Sequence, residues 1–504
     1  MSIESELKFR VAPRKLSSLA KARLIGARPG GRSDHNLVTT YFDTTKHKLK
    51  RNGLTLRVRS AGNSHVQTVK AVTSGAFSRG EWETELDGAT PDLAKTRNTP
   101  LGKLITRKLR RKLKPVFRTS VHRIALPINF RRSKVELAID RGKITSGRRS
   151  KPIAEFELEL KDGNPADLFR IARSFERKTN AELDLLSKAD KGYQLAERDH
   201  QRVHHADPIV LDSKLSVAEA FTVIASSTLR HFAANADAIR LLDAEGIHQM
   251  RVGLRRTRAA ISLFDDILPR VSTAKLKEEL KWLTGELAQA RDLDVLLEER
   301  VRPIIKAAPP RRGARAIEKK FAAQRTKAFK RARQAVGSLR FRRLLIDLLE
   351  WIETRKARPN GNKSIAPYAT ELLAYRIKKA RKQGKKLTKL SPGQRHKLRI
   401  KIKKIRYALD FFEHLYDAGG RKEIADLSSR LKNIQSALGG ALNDFMVHRE
   451  IATEAALSAP RANRRAQAFA SGFLIGQEQE AANGLLKAAR RELRHLRPLT
   501  AEPS

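Results

Sequence analysis

The sequence predicts an α+β protein: a closed antiparallel β-barrel at the N-terminus, followed by a nearly all-helical remainder. Three observations predict it. Short period-two segments recur to about residue 195, Ala, Leu, Lys, Arg and Glu recur at helical spacing from Ser213 onward, and the helical part contains an internal duplication. A chain of 504 residues is also long enough for two or three separate cores.

The candidate strands are Ile3 to Val11, Leu54 to Ser60, Val66 to Val72, Gly80 to Leu86, Phe117 to Asn129, Val135 to Asp140 and Glu155 to Lys161, separated by Gly, Asn, Asp and Pro. Closing about eight such strands removes their exposed edges. The segment around Asp207-Pro208 follows neither period and reads as a linker. Domains are therefore expected at residues 1–198 and 213–495, with a linker at 199–212.

Charge narrows the partner. Lys+Arg number 104 against 54 Asp+Glu, a formal net charge of +50, which favours polyanions. The chain has no cysteine, so disulfides, thiolate nucleophiles and cysteine-based metal sites are excluded. Met1 to Glu6 carries charge where a signal peptide needs an apolar run, and no segment approaches the length of a membrane span. The expectation is a cytoplasmic protein.

Several strands carry one charged and one apolar face, because side chains alternate. Glu4, Glu6 and Lys8 share a face, as do Arg57 and Arg59, then Glu81, Glu83 and Glu85, then Glu155, Glu157, Glu159 and Lys161. Lys70 lies on the face of Thr68. Alternation alone permits two arrangements: apolar faces inward, as an ordinary core, or charged faces inward. In the second, carboxylates at i and i+2 hold divalent cations while Arg and Lys on neighbouring strands bind phosphate oxygens.

This region resembles the CYTH, or triphosphate tunnel metalloenzyme, family. The resemblance rests on Glu4-x-Glu6-x-Lys8, Arg57-x-Arg59, Lys70, Arg79-Gly-Glu-x-Glu, Pro115 to Arg123, Val135 to Asp140 with Gly142, Glu155-x-Glu157-x-Glu159 and Ser187-Lys188, in order. It implies a triphosphate tunnel that hydrolyses or cyclises a threaded triphosphate with Mg²⁺ or Mn²⁺. Carried over, Glu4, Glu6, Glu155 and Glu157 are metal ligands, with Glu159 ranked just below them. Lys8, Arg57, Arg59, Lys70, Arg123 and Lys188 hold the phosphates. Arg118 and His122 are out of phase with Arg123 and are expected on the opposite face.

The duplication aligns His248-x-x-Arg251-x-x-x-Arg255-Arg256-x-Arg258 with His396-x-x-Arg399-x-x-x-Lys403-Lys404-x-Arg406, 148 residues further on. On a helix, His248, Arg251, Arg255 and Arg258 form one stripe, and Met250, Leu254, Thr257, Ile261 and Phe264 form another on the opposite side. His396, Arg399, Lys403 and Arg406 oppose Leu398, Ile402, Ile405, Leu409 and Phe412 in the same way. Asp292 and Asp294 are placed to orient neighbouring cations. Few acids lie on the stripes, which favours an anion site over a merely solvated face.

This half resembles the CHAD domain through its paired His-x-x-Arg helices and the Arg291-Asp-x-Asp294 segment. The resemblance implies two pseudo-symmetric four-helix bundles with polyphosphate in the basic groove between them. Copy two departs at Leu442 and Asn443, where copy one has Arg291 and Asp292, which implies weaker binding by one half. Aromatic residues are only 6%, without the stacking platforms of nucleic-acid binders, so nucleic acid is not expected as a specific partner.

The combined expectation is hydrolysis of inorganic triphosphate or short polyphosphate, with polyphosphate held by the helical half and association with polyphosphate granules. The alternatives are a non-catalytic polyphosphate-granule binding protein, or adenylyl cyclase or thiamine triphosphatase activity in the same tunnel.

Overall fold

Among the described residues of the N-terminal part, alternating segments form nine antiparallel strands. In the computed structural model they are β1 Ser2–Arg10, β2 Ser33–Asp43, β3 Leu54–Ala61, β4 Ser64–Val72, β5 Ser78–Leu86, β6 Lys114–Phe130, β7 Ser133–Ser146, β8 Arg149–Asp162 and β9 Glu182–Leu183. The structure describes residues 2–21, 31–72, 78–197, 203–302, 311–440 and 464–503, with Thr453 and Leu457. Strand order is β5-β4-β3-β2-β6-β7-β8-β1-β9, and the first residues of β1, Ser2 to Ser5, also pair with Ser78 to Glu81 of β5.

Sequence patterning missed β2, whose polar start, Ser33-Asp34-His35-Asn36, carries no alternating signal. Its pairing with β3 and β6 supplies the order that the local sequence lacks.

Helices lie between and after the strands: α1 Pro13–Lys21, α2 Lys48–Arg51, α3 Arg107–Lys112, α4 Pro165–Thr179 and α5 Lys188–Ala196. They cover apolar sheet faces. Leu56, Val58 and Val69 are buried with Leu49 of α2 and Leu109 of α3. Phe9 stacks on Phe156 at 5.0 Å, and Phe156 in turn meets Phe175 of α4. Asn164 caps α4 just before Pro165, and Asn180 ends it in a left-handed conformation at φ 56°.

The helical part runs α6 Val217–Ala234, α7 Ala236–Arg240, α8 Ala244–Leu263, α9 Arg270–Leu296, α10 Arg311–Gly337, α11 Leu339–Thr354, α12 Ile365–Gly384, α13 Pro392–Phe412, α14 Ala418–Gly440 and α15 Arg464–Arg494. Residues 1–202 form one compact unit together with Ser338–Arg355; Val203–Gly337 and Lys356–Ser504 form the other. Helix α11, helical by sequence grammar, is therefore built into the sheet unit. It buries Phe341, Leu344, Leu345, Ile346, Leu348, Leu349, Trp351 and Ile352, each contributing roughly 1.5–3 kcal/mol before entropy is counted. Two ionic clasps fix it to α4: Arg342 Nε donates to Glu176 at 2.8 Å, and Arg173 donates to Asp347 at 2.6 Å and to Glu350.

The helical unit shows its duplication directly. Helices α6, α8 and α9 recur 148 residues later as α12, α13 and α14. The Val217 N–H donates to Lys363 O at 2.9 Å, and the Ile365 N–H donates to Leu215 O at 3.0 Å; each bond is the other shifted by one repeat. Ser216 bridges its own counterpart Ser364, and the ring of Phe264 meets that of its counterpart Phe412 at 6.1 Å. Self-pairing of equivalent residues marks a pseudo-twofold axis through these contacts.

Candidate functional site

Directly opposed residues of antiparallel strands share a face of the sheet. Glu6 stands opposite Glu159, Lys8 opposite Glu157 and Arg10 opposite Glu155. Asp140 of β7 stands opposite both Glu155 and Arg123. On the other side, Tyr41 opposes Arg57, Arg57 opposes Thr68, Lys70 opposes Glu81, and Glu4 opposes Arg79. Register thus brings Glu4, Glu6, Lys8, Arg57, Arg59, Lys70, Arg123, Glu155, Glu157 and Glu159 to one face. Arg118 and His122 are exposed on the other. Helices cover the apolar face, and the charged face holds buried groups, so the second of the two arrangements open to the sequence is adopted.

The centre of that face is an ionic cluster. Lys188 Nζ lies 2.7 Å from Asp140 Oδ2, Glu155 Oε1 and Glu157 Oε1. Arg123 donates to Asp140 at 2.7 and 2.6 Å and to Glu157 at 2.5 Å. Asp140 and Glu155 are 0% and 1% exposed. Burial by itself raises a carboxyl pKa, but Lys188, Lys8 and Lys191 hold Glu155 down at about 2. Glu157 is likewise held well below the usual carboxylate range: burial opposes ionisation, and Lys188 and Arg123 outweigh it. Burial would lower the Lys188 ammonium, yet Asp140, Glu155 and Glu157 raise it well above the ordinary lysine value. Glu155, Glu157 and Lys188 are therefore charged at neutral pH.

Helix α5 delivers the lysine. Ser187 and Asp190 form a reciprocal capping box at its start. Tyr193 Oη donates to buried Asp43 at 2.9 Å, and a Cβ on Gly192 would lie 2.1 Å from the Phe117 ring, so only glycine lets the helix approach this closely. One turn after Lys188, Lys191 reaches Glu155 Oε2 at 2.7 Å and Asp184 Oδ2 at 2.6 Å.

Several of the expected residues have partners within the protein. Lys8 Nζ donates to the Leu186 carbonyl, and Arg57 and Lys70 both approach Glu81 at 3.2 Å. Glu159 pairs with Lys161 at 2.7 Å rather than joining the carboxylate cluster. The side chain of Glu4 and residues Leu442, Asn443 and Asp444 lie outside what is described. Asp140, Asp184 and Lys191 belong to the cluster but were not singled out from sequence. Asp140 shares the parity of Glu136, and Lys191 follows Lys188 at helical spacing; these were the available signals.

The donor set suits a hard divalent ion. Ligand atoms of Asp140, Glu155 and Glu157 lie within 4.8 Å of one another, and all are carboxylate oxygens. Beside them is a cationic arc. Arg57, then burial, then Arg123 lower the Arg59 guanidinium to about 10, the mark of cations crowded together. Arg59 Nε is buried without a hydrogen-bond partner.

In the helical unit the two faces separate as expected. Met250, Leu254, Thr257, Ile261 and Phe264 are buried, as are Leu398, Ile402, Ile405, Leu409 and Phe412. His248, Arg251, Arg255, His396, Arg399, Lys403 and Arg406 are partly exposed, and Arg258 is exposed. Arg256, a binding candidate beside the stripe, is buried: it is 9% exposed, with its guanidinium 5.5 Å from the Phe411 ring centroid. Asp292 approaches Arg251 at 3.4 Å, and Asp294 holds Arg291 at 3.0 Å and Arg325 at 2.7 Å. Burial and then Arg291 lower the His248 pKa.

A charged sheet face joined to a duplicated basic helical unit defines the class, and comparison with known proteins defines the families. The chain contains a CYTH domain at residues 2–193 and a CHAD domain at residues 223–453. Over 167 residues, 32% of this chain, it is 34% identical to the inorganic triphosphatase of Haemophilus influenzae and spans 46% of that protein's length. An uncharacterised protein of Mycobacterium tuberculosis is 26% identical over 97% of this chain and 96% of its own. The crystal structure of the CHAD domain from the plant Ricinus communis matches 60% of this chain and 99% of its own, at 29% identity and a TM-score of 0.51. Among the described residues, no helix is long and apolar enough to cross a membrane.

Proposed function

We propose that the sheet unit forms a tunnel that hydrolyses inorganic triphosphate or short polyphosphate, and that the helical unit binds polyphosphate. The observation that carries the first part is the Asp140, Glu155 and Glu157 cluster sharing a face with Arg57, Arg59, Lys70 and Arg123. Asp140, Glu155 and Glu157 would hold Mg²⁺ or Mn²⁺, with Glu4 and Glu6 on the same face. Once bound, the ion supplies charge neutralisation at the phosphate oxygens and a more acidic water.

The chain's own residues do the rest. Arg57, Arg59 and Arg123 offer planar guanidinium groups suited to bidentate phosphate contacts, while Lys8 and Lys70 supply point charges. Lys188 Nζ pairs with all three carboxylates, and its flexible stem would let the ammonium reach a phosphate oxygen of the substrate instead. Lys191 and Asp184 position Glu155 throughout. For the helical unit, the support is the pair of cationic stripes backed by buried apolar ones, whose spaced charges suit a repeated anion.

The assay is phosphate release from tripolyphosphate with Mg²⁺ or Mn²⁺. Glu157→Gln is expected to lower kcat about a thousandfold, the scale of losing a principal electrostatic contact. Failure of the wild-type chain on tripolyphosphate, ATP and thiamine triphosphate alike would leave polyphosphate binding without catalysis.

A further inference from the structure

The three carboxylates of the ionic cluster do not use their two oxygens alike. Asp140 Oδ2, Glu155 Oε1 and Glu157 Oε1 each lie 2.7 Å from Lys188 Nζ, so one oxygen of every carboxylate converges on a single point. The second oxygen of each turns to another cation. Arg123 forks across Asp140, reaching Oδ1 at 2.7 Å and Oδ2 at 2.6 Å, and donates to Glu157 Oε2. Lys191 Nζ donates to Glu155 Oε2 at 2.7 Å.

Lys191 is itself held from behind. Its Nζ lies 2.6 Å from Asp184 Oδ2, the Asp184 N–H donates to the Lys8 carbonyl of β1 at 2.8 Å, and the Leu186 N–H donates to Asp184 Oδ1 at 3.1 Å. Lys8 Nζ donates in turn to the Leu186 carbonyl. A brace therefore runs from β1 through the turn at Asp184 to Lys191 and ends on one oxygen of Glu155. The other oxygen, Oε1, is buried beside Lys188 without a hydrogen bond. An inward oxygen in that state, within an all-carboxylate donor set, fits a hard divalent ion.

The number of oxygens a carboxylate can offer separates such ions. Mg²⁺ keeps several waters in a near-ideal octahedron and needs only single oxygens from the protein, whereas Ca²⁺ takes about six to eight oxygens and gains from a carboxylate that binds through both. A charge-assisted hydrogen bond from a fixed donor withholds the second oxygen.

We propose that Lys191 is a positioning residue that sets which divalent ion the sheet unit accepts: by holding Glu155 Oε2 it leaves Glu155 one oxygen to offer, which favours Mg²⁺ and Mn²⁺ over Ca²⁺. This rests on the divalent-metal reading of the sheet unit and adds to it a basis for choosing among ions.

The experiment is calorimetric titration of the full chain with MgCl₂, MnCl₂ or CaCl₂ alone, without substrate. Lys191→Met is expected to move the ratio of Mg²⁺ to Ca²⁺ affinity about tenfold toward Ca²⁺, the scale on which residues behind a ligand tune a metal site. The double variant Lys191→Met with Asp184→Asn removes the stranded acid as well and leaves the net charge unchanged. It is expected to show the same shift, and it carries the test if Lys191→Met alone does not fold. Lys191→Arg keeps a charged donor and is expected to hold the ratio within about twofold of wild type. An unchanged ratio in the methionine variants, with melting intact, overturns the inference. An equal rise in affinity for all three ions also overturns it, since loss of a nearby positive charge rather than release of the second oxygen would then be the cause. Binding of none of the three ions by the wild-type chain overturns the metal reading itself, and this inference with it.

Discussion

The sheet unit and the helical unit both gather cations, but they handle the charge in opposite ways. In the sheet unit, the partly buried Lys188 and Arg123 pair with Asp140, Glu155 and Glu157 at 2.5–2.7 Å, so the site is neutralised from within. In the helical unit, Arg258 and the half-buried Lys404 and Arg376 stand over an apolar core with few acids beside them. A compensated cluster can exchange one of its ions for a metal or a substrate group. An uncompensated one attracts whatever polyanion is present.

The first way to break this comparison concerns where one unit ends. Helix α11 lies in the helical half of the sequence, yet Arg342 meets Glu176, whose side chain is 2% exposed. Removing the arginine strands a buried carboxylate, so Arg342→Ala is expected to cost about 3–4 kcal/mol in denaturant unfolding of the sheet unit while leaving polyphosphate binding unchanged. Loss of binding instead would mean that α11 serves the helical unit.

A second prediction separates the units by pH. Burial and then Arg256 lower the His231 pKa from 6.5 to about 4, and the residue is 5% exposed. The unfolded chain therefore takes up the proton first as pH falls. Stability from this group is intact above pH 6.5 and is lost between 6.5 and about 4, by about 3 kcal/mol. Glu155, lowered from 4.5 to about 2, loses its contribution at lower pH, between 4.5 and 2, and overlaps the first window only near its acid end. Melting curves of wild type and His231→Gln from pH 7 to 4 check this: the variant is expected to be flatter.

The smallest effect is that of salt. Raising salt from 50 to 200 mM is expected to weaken polyphosphate binding by at least about tenfold, because the helical cations are open to screening. Melting of the sheet unit is expected to change little over the same range, since its ion pairs are buried. Equal sensitivity in the two units would erase the distinction.

Much of this was legible in the sequence for local reasons. Period two places Glu155, Glu157 and Glu159 on one face whatever their neighbours, and the 3-4-3 spacing does the same for His248, Arg251 and Arg255. Asp140 was harder to read: its strand was visible, but its role depends on lying opposite Glu155, which is a matter of register. Lys191 acts on a carboxylate from a strand far away in the chain, and no spacing rule reports that.

Sequence alone determined the change from strand to helix grammar, the parity of each charged face and the 148-residue repeat, because these depend on residues a few positions apart or on direct copies. Tertiary structure alone decided that the charged face holds buried groups while helices cover the apolar one, that Lys188 pairs with all three carboxylates, and that α11 belongs to the sheet unit. Each of these is a pairing between distant segments. Its energy depends on distance and burial, which local patterning does not encode.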